Sequence, residues 1–186
     1  MKNFEIQTIF LYLISLFTIL IINQFRDRIS KTFGLVDNPD NNRKFHSKSV
    51  PLLGGIMIFL PFLIINLYSI IFHQIENAYL IIFICCTCCL IVGLIDDIKT
   101  ISYKYKFLYL IVIFYIFITL DKNLIINKIY FSTLERVVYL DSLSKPFTIL
   151  SLLLLTNALN LIDGIDGLCI TVSTIFLAWI MITFNN

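Results

Sequence analysis

Residues 157–168 read Asn-Ala-Leu-Asn-Leu-Ile-Asp-Gly-Ile-Asp-Gly-Leu: amides, carboxylates and glycines at the end of a stretch apolar enough to lie in a bilayer. Polar groups at that depth are costly and by default mark a functional site. Asn157, Asn160, Asp163 and Asp166 recur every third residue, so each drifts by about 60° around a helix of 3.6 residues per turn. Asn157 and Asp166 then lie on opposite faces of a straight helix. The four converge only where the helix ends or unwinds, which Gly164 and Gly167 make inexpensive. The motif predicts a broken helix end that presents carboxylates to a polar ligand. A plain Gly-Asp turn between two spans is the simpler alternative, but it leaves two amides inside an apolar segment without a reason.

A second acidic pair, Asp96-Asp97, follows Gly93-Leu94-Ile95. Adjacent carboxylates repel unless a proton or a cation neutralises them, which suits a general base or a divalent metal site. An ordinary solvated helix end is the competing reading. It runs against the negative dipole of a helix C-terminus, where acidic side chains are unfavourable. Magnesium takes oxygen ligands from one or two carboxylates, substrate phosphates and water, and Asp97 and Asp163 are the candidates for that shell. A third polar region runs from Gly34 to Gly55 and contains Arg43, Lys44, His46 and Lys48. Arg43, Lys44 and His46 could hold phosphate or diphosphate. Positive-inside topology and contact with anionic lipid heads explain the same charges, and both readings stay open for these three. For Arg26, Arg28 and Lys31 the topological reading is preferred, and His73 is taken as incidental.

The elements that carry these groups are set by composition. Of 186 residues, 59% are hydrophobic and only 14% charged, with 17 Phe and 9 Tyr, which excludes a soluble domain with an ordinary surface. The expected fold is all-α and polytopic. About six membrane-spanning helices are predicted near 4–23, 50–72, 78–95, 103–120, 147–161 and 168–184, forming a single membrane domain over 1–186. No cleavable signal peptide is expected at residues 4–22. Pro51 falls at the predicted start of the second span, where its missing N–H is harmless, and Gly54-Gly55 would allow close helix approach. The external segment 121–146 is rich in Ile, Val and Tyr, so a short hairpin over 124–140 or an interfacial amphipathic segment is expected. The run Cys85-Cys86-Thr87-Cys88-Cys89 reads as small side chains inside a membrane helix, because those positions do not all face one point.

Charge sets the expected orientation. With an external N-terminus, loops 24–49 and 96–106 place nine Lys and Arg inside: Arg26, Arg28, Lys31, Arg43, Lys44, Lys48, Lys99, Lys104 and Lys106. Five fall outside, namely Lys2, Lys122, Lys128, Arg136 and Lys145. This follows the positive-inside rule and puts all three polar regions on the cytoplasmic face. Acidic groups for a metal, basic groups for phosphates and apolar walls together suggest phosphoryl chemistry on a lipid.

Three segments in this order resemble the polyprenyl-phosphate N-acetylhexosamine-1-phosphate transferases of glycosyltransferase family 4. They are Val36-Asp-Asn-Pro through Arg43-Lys44-Phe45-His46 to Pro51-Leu-Leu-Gly-Gly55, then Gly93-Leu-Ile-Asp-Asp97, then Asn157 to Leu168. The wording is nearest to the undecaprenyl-phosphate N-acetylglucosaminyl-1-phosphate transferase branch and less like the muramoyl-pentapeptide branch. The resemblance implies transfer of a sugar-1-phosphate from a UDP-N-acetylhexosamine to polyprenyl phosphate, with release of UMP. It implies Mg²⁺, with Mn²⁺ as the substitute, and a multi-pass protein of the inner membrane with a cytoplasmic active face. The polymer served would be a cell-envelope polysaccharide such as O-antigen. Asp96, Asp97 and Asp163 would be catalytic. Arg43, Lys44, His46, Asn157, Asn160 and Asp166 would bind substrate, and Asp97 and Asp163 would hold the metal.

The resemblance covers nearly all of this chain but only the first half of the family fold. The second-half Met-Gly-Asp-x-Gly-Ser segment and a later His-rich loop are not found here. The chain is therefore expected to be a fragment, a truncated frame or half of a split protein. Its expected partners are the lipid phosphate, the nucleotide sugar, membrane lipid and either a second copy or a missing C-terminal half. Nucleic acid is not expected. The competing expectation is a scaffold or pseudoenzyme that binds without independent catalysis. A CDP-alcohol phosphatidyltransferase or an aromatic prenyltransferase would need aspartate spacings that do not occur.

Overall fold

The structure is a computed structural model, and it describes residues 2–37, 49–72, 77–131, 133, 135–162 and 167–184. The chain divides into two compact units, Met1–Asp121 and Lys122–Asn186.

The first unit is built from long apolar helices. In lipid every backbone polar group must find its partner within the protein, and a helix does this within one segment. Helix α1 (Lys2–Gln24) is followed by α2 (Arg26–Phe33), α3 (Gly54–Phe72), α4 (Asn77–Lys99) and α5 (Tyr103–Leu120). α1 packs on α3, α3 on α4 and α4 on α5. Most of the large apolar side chains on their outer faces are exposed, Phe17 by 64% and Ile58 by 77%, as expected where lipid replaces water as solvent.

Helix–helix contact in such a medium depends on close packing rather than on a hydrophobic force. Phe83 of α4 sits between Phe59 and Phe62 of α3, with ring centroids 6.2 and 5.7 Å away. Closer to the helix end, a Cβ added to Gly55 would meet Leu90 Cδ1 at 3.3 Å, whereas Gly54 has open space around it. The expected close approach thus belongs to Gly55.

Three boundaries differ from the expectations of sequence. Residues 26–33 are helical rather than loop, and α2 turns away from residues 9–24 by 72°. Its sequence, Arg-Asp-Arg-Ile-Ser-Lys-Thr-Phe, is too polar to prolong an apolar span, and Gly34 ends it at a left-handed φ of +69°. Pro51 lies not in a helix but in a short strand pair, β1 (Val36–Asp37) with β2 (Val50–Pro51), with Val36 opposite Pro51 and Asp37 opposite Val50. The loop expected over 96–106 shrinks to three residues, because α4 runs through Asp96 and Asp97 to Lys99 and α5 begins at Tyr103.

The second unit opens with a single 3₁₀ turn at Lys122–Leu124. An antiparallel hairpin of β3 (Lys128–Phe131) and β4 (Arg136–Tyr139) follows, and then α6 (Ser144–Ile162) and α7 (Leu168–Phe184). The hairpin expected near 124–140 is present. Thr148, 2% exposed, ties it to α6: its hydroxyl accepts the Ile126 N–H at 2.9 Å and donates to the Ser144 carbonyl at 2.7 Å. Thr148→Val keeps the shape and removes the acceptor. It is expected to cost about 1–2 kcal/mol, read as a lower melting temperature and faster amide exchange at Ile126.

By length and composition, four helical segments are able to cross a membrane: Gly54–Phe72, Asn77–Lys99, Tyr103–Leu120 and Asp141–Ile162. A fifth arises if Ile9–Gln24 and Arg26–Phe33 form one bent span, and Leu168–Thr183 is a shorter apolar helix. The all-α, polytopic membrane fold stands, with four or five helices long enough to span and one shorter apolar helix among the described residues.

Candidate active site

In the first unit an apolar knot fixes the ground around the acidic pair. Ile22, Leu35 and Leu53 are buried together, with Ile29, Leu52, Ile56, Met57, Leu60 and Leu94 packed against them. The knot joins both flanks of residues 38–48 to α4 two residues before Asp96. Leu52 N–H donates to the Leu35 carbonyl at 2.9 Å beside the β1–β2 pair, so the two flanks are held to each other as well.

Asp96 and Asp97 are neighbours in sequence but point about 100° apart on the helix. Phe83, Leu90 and Asp97 recur every seven residues and so share one face, the one that packs on α3. Asp97 lies beyond the last of those contacts, exposed, on the side where Leu94 meets the knot. The carboxylates of Asp96 and Asp37 and the ammonium of Lys106 all act on it electrostatically. Among the described residues Asp97 makes no hydrogen bond or ion pair.

Asp96 faces a different way, towards α5. Its Oδ2 pairs with Lys106 Nζ at 2.7 Å, and its Oδ1 accepts the Ile101 N–H at 2.9 Å. The two side chains of the pair are 22% and 28% exposed, Asp96 and Lys106 respectively. The acidic pair is thus split into one engaged carboxylate and one open one.

In the second unit α6 ends at Ile162, and Gly167 adopts a left-handed φ of +78° before α7. The Gly167 carbonyl then accepts the Thr171 N–H at 3.0 Å. The chain therefore stops being helical within the motif. Asn157 is half-buried and Asn160 exposed on the last two turns of α6, and neither amide is hydrogen-bonded among the described residues. Five of the expected site residues, Arg43, Lys44, His46, Asp163 and Asp166, lie outside the described residues, as do Gly164 and His73.

Two residues were not singled out from sequence. Lys106 was counted only as a topological charge, although its spacing of ten from Asp96 across a short turn allows the ion pair seen. Asp37 stands in the Val-Asp-Asn-Pro segment, which pairs with residues 50–51, and its charge acts on Asp97.

No group of three or more His, Cys, Asp or Glu side chains is arranged to hold a metal ion among the described residues. That finding concerns clusters of described protein ligands alone. It is compatible with Mg²⁺, which binds through one or two carboxylates and takes its other ligands from phosphate and water. Of the acidic pair, Asp97 is the carboxylate free to serve.

The comparison with known proteins now bears on this site. The family model for glycosyl transferase family 4 matches residues 79–186, more than half of the chain, and includes Asp96, Asp97, Asn157 and Asn160. The chain belongs to glycosyl transferase family 4. Among curated relatives of this family 4 chain is the probable undecaprenyl-phosphate N-acetylglucosaminyl 1-phosphate transferase of Bacillus subtilis. The two are 33% identical over 183 residues, which is 95% of this chain and 48% of the relative. The undecaprenyl-phosphate alpha-N-acetylglucosaminyl 1-phosphate transferase of Escherichia coli is 30% identical over 160 residues, 83% of this chain and 41% of the relative. A phospho-N-acetylmuramoyl-pentapeptide-transferase of Prochlorococcus marinus is 29% identical over 181 residues, 89% of this chain and 49% of the relative. The family 4 chain spans half or less of the length of these relatives. No solved structure matches it.

Proposed function

We propose that this chain takes part in moving N-acetylhexosamine-1-phosphate from a UDP-sugar to a polyprenyl phosphate, undecaprenyl phosphate in bacteria. The observation that carries the reading is the open carboxylate of Asp97, held on a packed helix end in an otherwise apolar protein and inside the family match. A phosphate oxygen of the lipid would form a bond to the sugar-bearing phosphorus as the bond from that phosphorus to UMP breaks, so that UMP leaves with the bridging oxygen. Positioning and charge neutralisation are the main demands of such a step. Bound Mg²⁺, or Mn²⁺, would neutralise the diphosphate and developing charge.

Asp97 is proposed to orient or deprotonate the lipid phosphate and to offer a ligand to the metal. Asp163 is proposed as a second catalytic and metal-binding carboxylate on its motif alone. Asn157, Asn160 and Asp166 are proposed to bind the nucleotide sugar, and Arg43, Lys44 and His46 to bind phosphate. The setting proposed is the inner membrane with a cytoplasmic active face, at the first step of a cell-envelope polysaccharide.

Membranes carrying the protein are expected to exchange labelled UMP into UDP-N-acetylglucosamine or its epimer when Mg²⁺ is present, and to stop when the metal is chelated. Exchange that persists without divalent metal counts against the metal assignment. The half-length match to relatives motivates a second reading, a membrane protein that binds without catalysing on its own. Saturable binding of the nucleotide sugar with no exchange would favour that second reading over the first.

A further inference from the structure

Asp96 and Asp97 are neighbours of the same type with different surroundings. α4 ends with Thr100 at a φ of +42°. A β-branched residue in that region is strained, and such strain persists only where the surroundings over-determine it. The Thr100 N–H is satisfied by the backbone carbonyl of Asp96 at 2.8 Å, closing a left-handed helix cap. The next N–H, that of Ile101, has no such carbonyl and is taken by Asp96 Oδ1 at 2.9 Å. Asp96 Oδ2 then reaches across to Lys106 in the first turn of α5 at 2.7 Å. One side chain thus closes the end of α4, holds the strained turn and binds the next helix.

We propose that Asp96 is a positioning residue, which locks the α4–α5 turn through the Ile101 amide and the Lys106 ammonium and thereby fixes the last turn of α4 that carries Asp97. The reacting carboxylate of the pair is then Asp97 alone. The clamp rests on the geometry, and its consequence for turnover rests on the transferase reading above. Both Asp96 oxygens already face donors, one of them charged, and a charge-assisted bond of this kind is among the stronger ones available to a side chain. Asp97 has neither partner among the described residues, yet sits one residue away on the rigid, packed face of the helix.

The experiment combines amide exchange with a double-mutant cycle in membranes or nanodiscs. Asp96→Ala is expected to expose the Ile101 amide to fast exchange, whereas Asp96→Asn keeps an oxygen for it and retains protection. Asp96→Asn and Lys106→Met are each expected to lower kcat about tenfold, the scale of one charged hydrogen bond, with KM for the nucleotide sugar unchanged. The double variant is expected to be no slower than the slower single one, because both changes break the same link. Unchanged Ile101 exchange in Asp96→Ala overturns the clamp. An Asp96→Asn variant that keeps Ile101 protected but loses activity as fully as Asp97→Asn overturns the positioning role and returns Asp96 to the chemistry. If the unaltered protein shows no exchange of UMP, the transferase reading fails instead, and Ile101 exchange in Asp96→Ala still decides the clamp.

Discussion

Asp97→Asn is expected to lower UMP exchange by about three orders of magnitude while leaving the melting temperature of the protein unchanged or slightly raised. The size follows from loss of a group that transfers a proton or holds a metal at a phosphoryl centre, typically worth 10²- to 10⁴-fold. The stability half of the expectation comes from the structure. Asp97 bears no hydrogen bond or ion pair among the described residues, so asparagine removes no partner. It does remove a negative charge from the negative end of a helix, beside the carboxylates of Asp96 and Asp37. Relief of that repulsion acts in the stabilising direction, and α4 continues to pack through Phe83, Leu90 and Leu94. Activity lost at full thermal stability is the signature of a site residue. Wild-type exchange in Asp97→Asn would remove Asp97 from the proposed mechanism, and a collapse in melting temperature would show that its charge supports the fold.

That contrast between Asp96 and Asp97 could not be read from sequence. Two adjacent aspartates look alike on paper, and their separation depends on Thr100 entering the left-handed region and on a lysine ten residues away. Long apolar runs were legible because the bilayer demands continuous helix, so α3 to α6 fall where hydropathy places them to within a few residues. The hairpin was legible too, since Ile129, Tyr130, Val137 and Val138 are β-formers between turn residues. Helix α2 was not, because its basic residues satisfy the positive-inside rule whether or not they are helical. A non-helical point within the motif was expected from residues three apart and from its glycines, and Gly167 adopts the left-handed conformation that only glycine takes freely. Asp37 escaped notice because its position is set by pairing across residues 38–48, and periodicity carries no information about such pairing.

A purely apolar substitution tests whether the knot beneath the site matters to it. Leu53→Ala is expected to destabilise the protein by about 2–5 kcal/mol, the range for truncating a buried leucine. Leu53 is 2% exposed and packs with Ile22 and Leu35, so few neighbours are free to collapse into the gap. Leu16→Ala, at a side chain 54% exposed, should change stability little and serves as the comparison. The knot also holds the flanks of residues 38–48 against Leu94, three residues before Asp97. Loosening it should therefore lower exchange activity beyond the loss of folded protein, measured at a temperature where the variant remains folded. Leu53→Met, which conserves volume, should recover most of both quantities. If Leu53→Ala melted like the unaltered protein, the packing around Leu53 would not be a core. If it melted early but exchanged UMP normally while folded, the knot would support the fold without positioning Asp97. Positioning of that carboxylate would then fall to the clamp at Asp96 among the described residues.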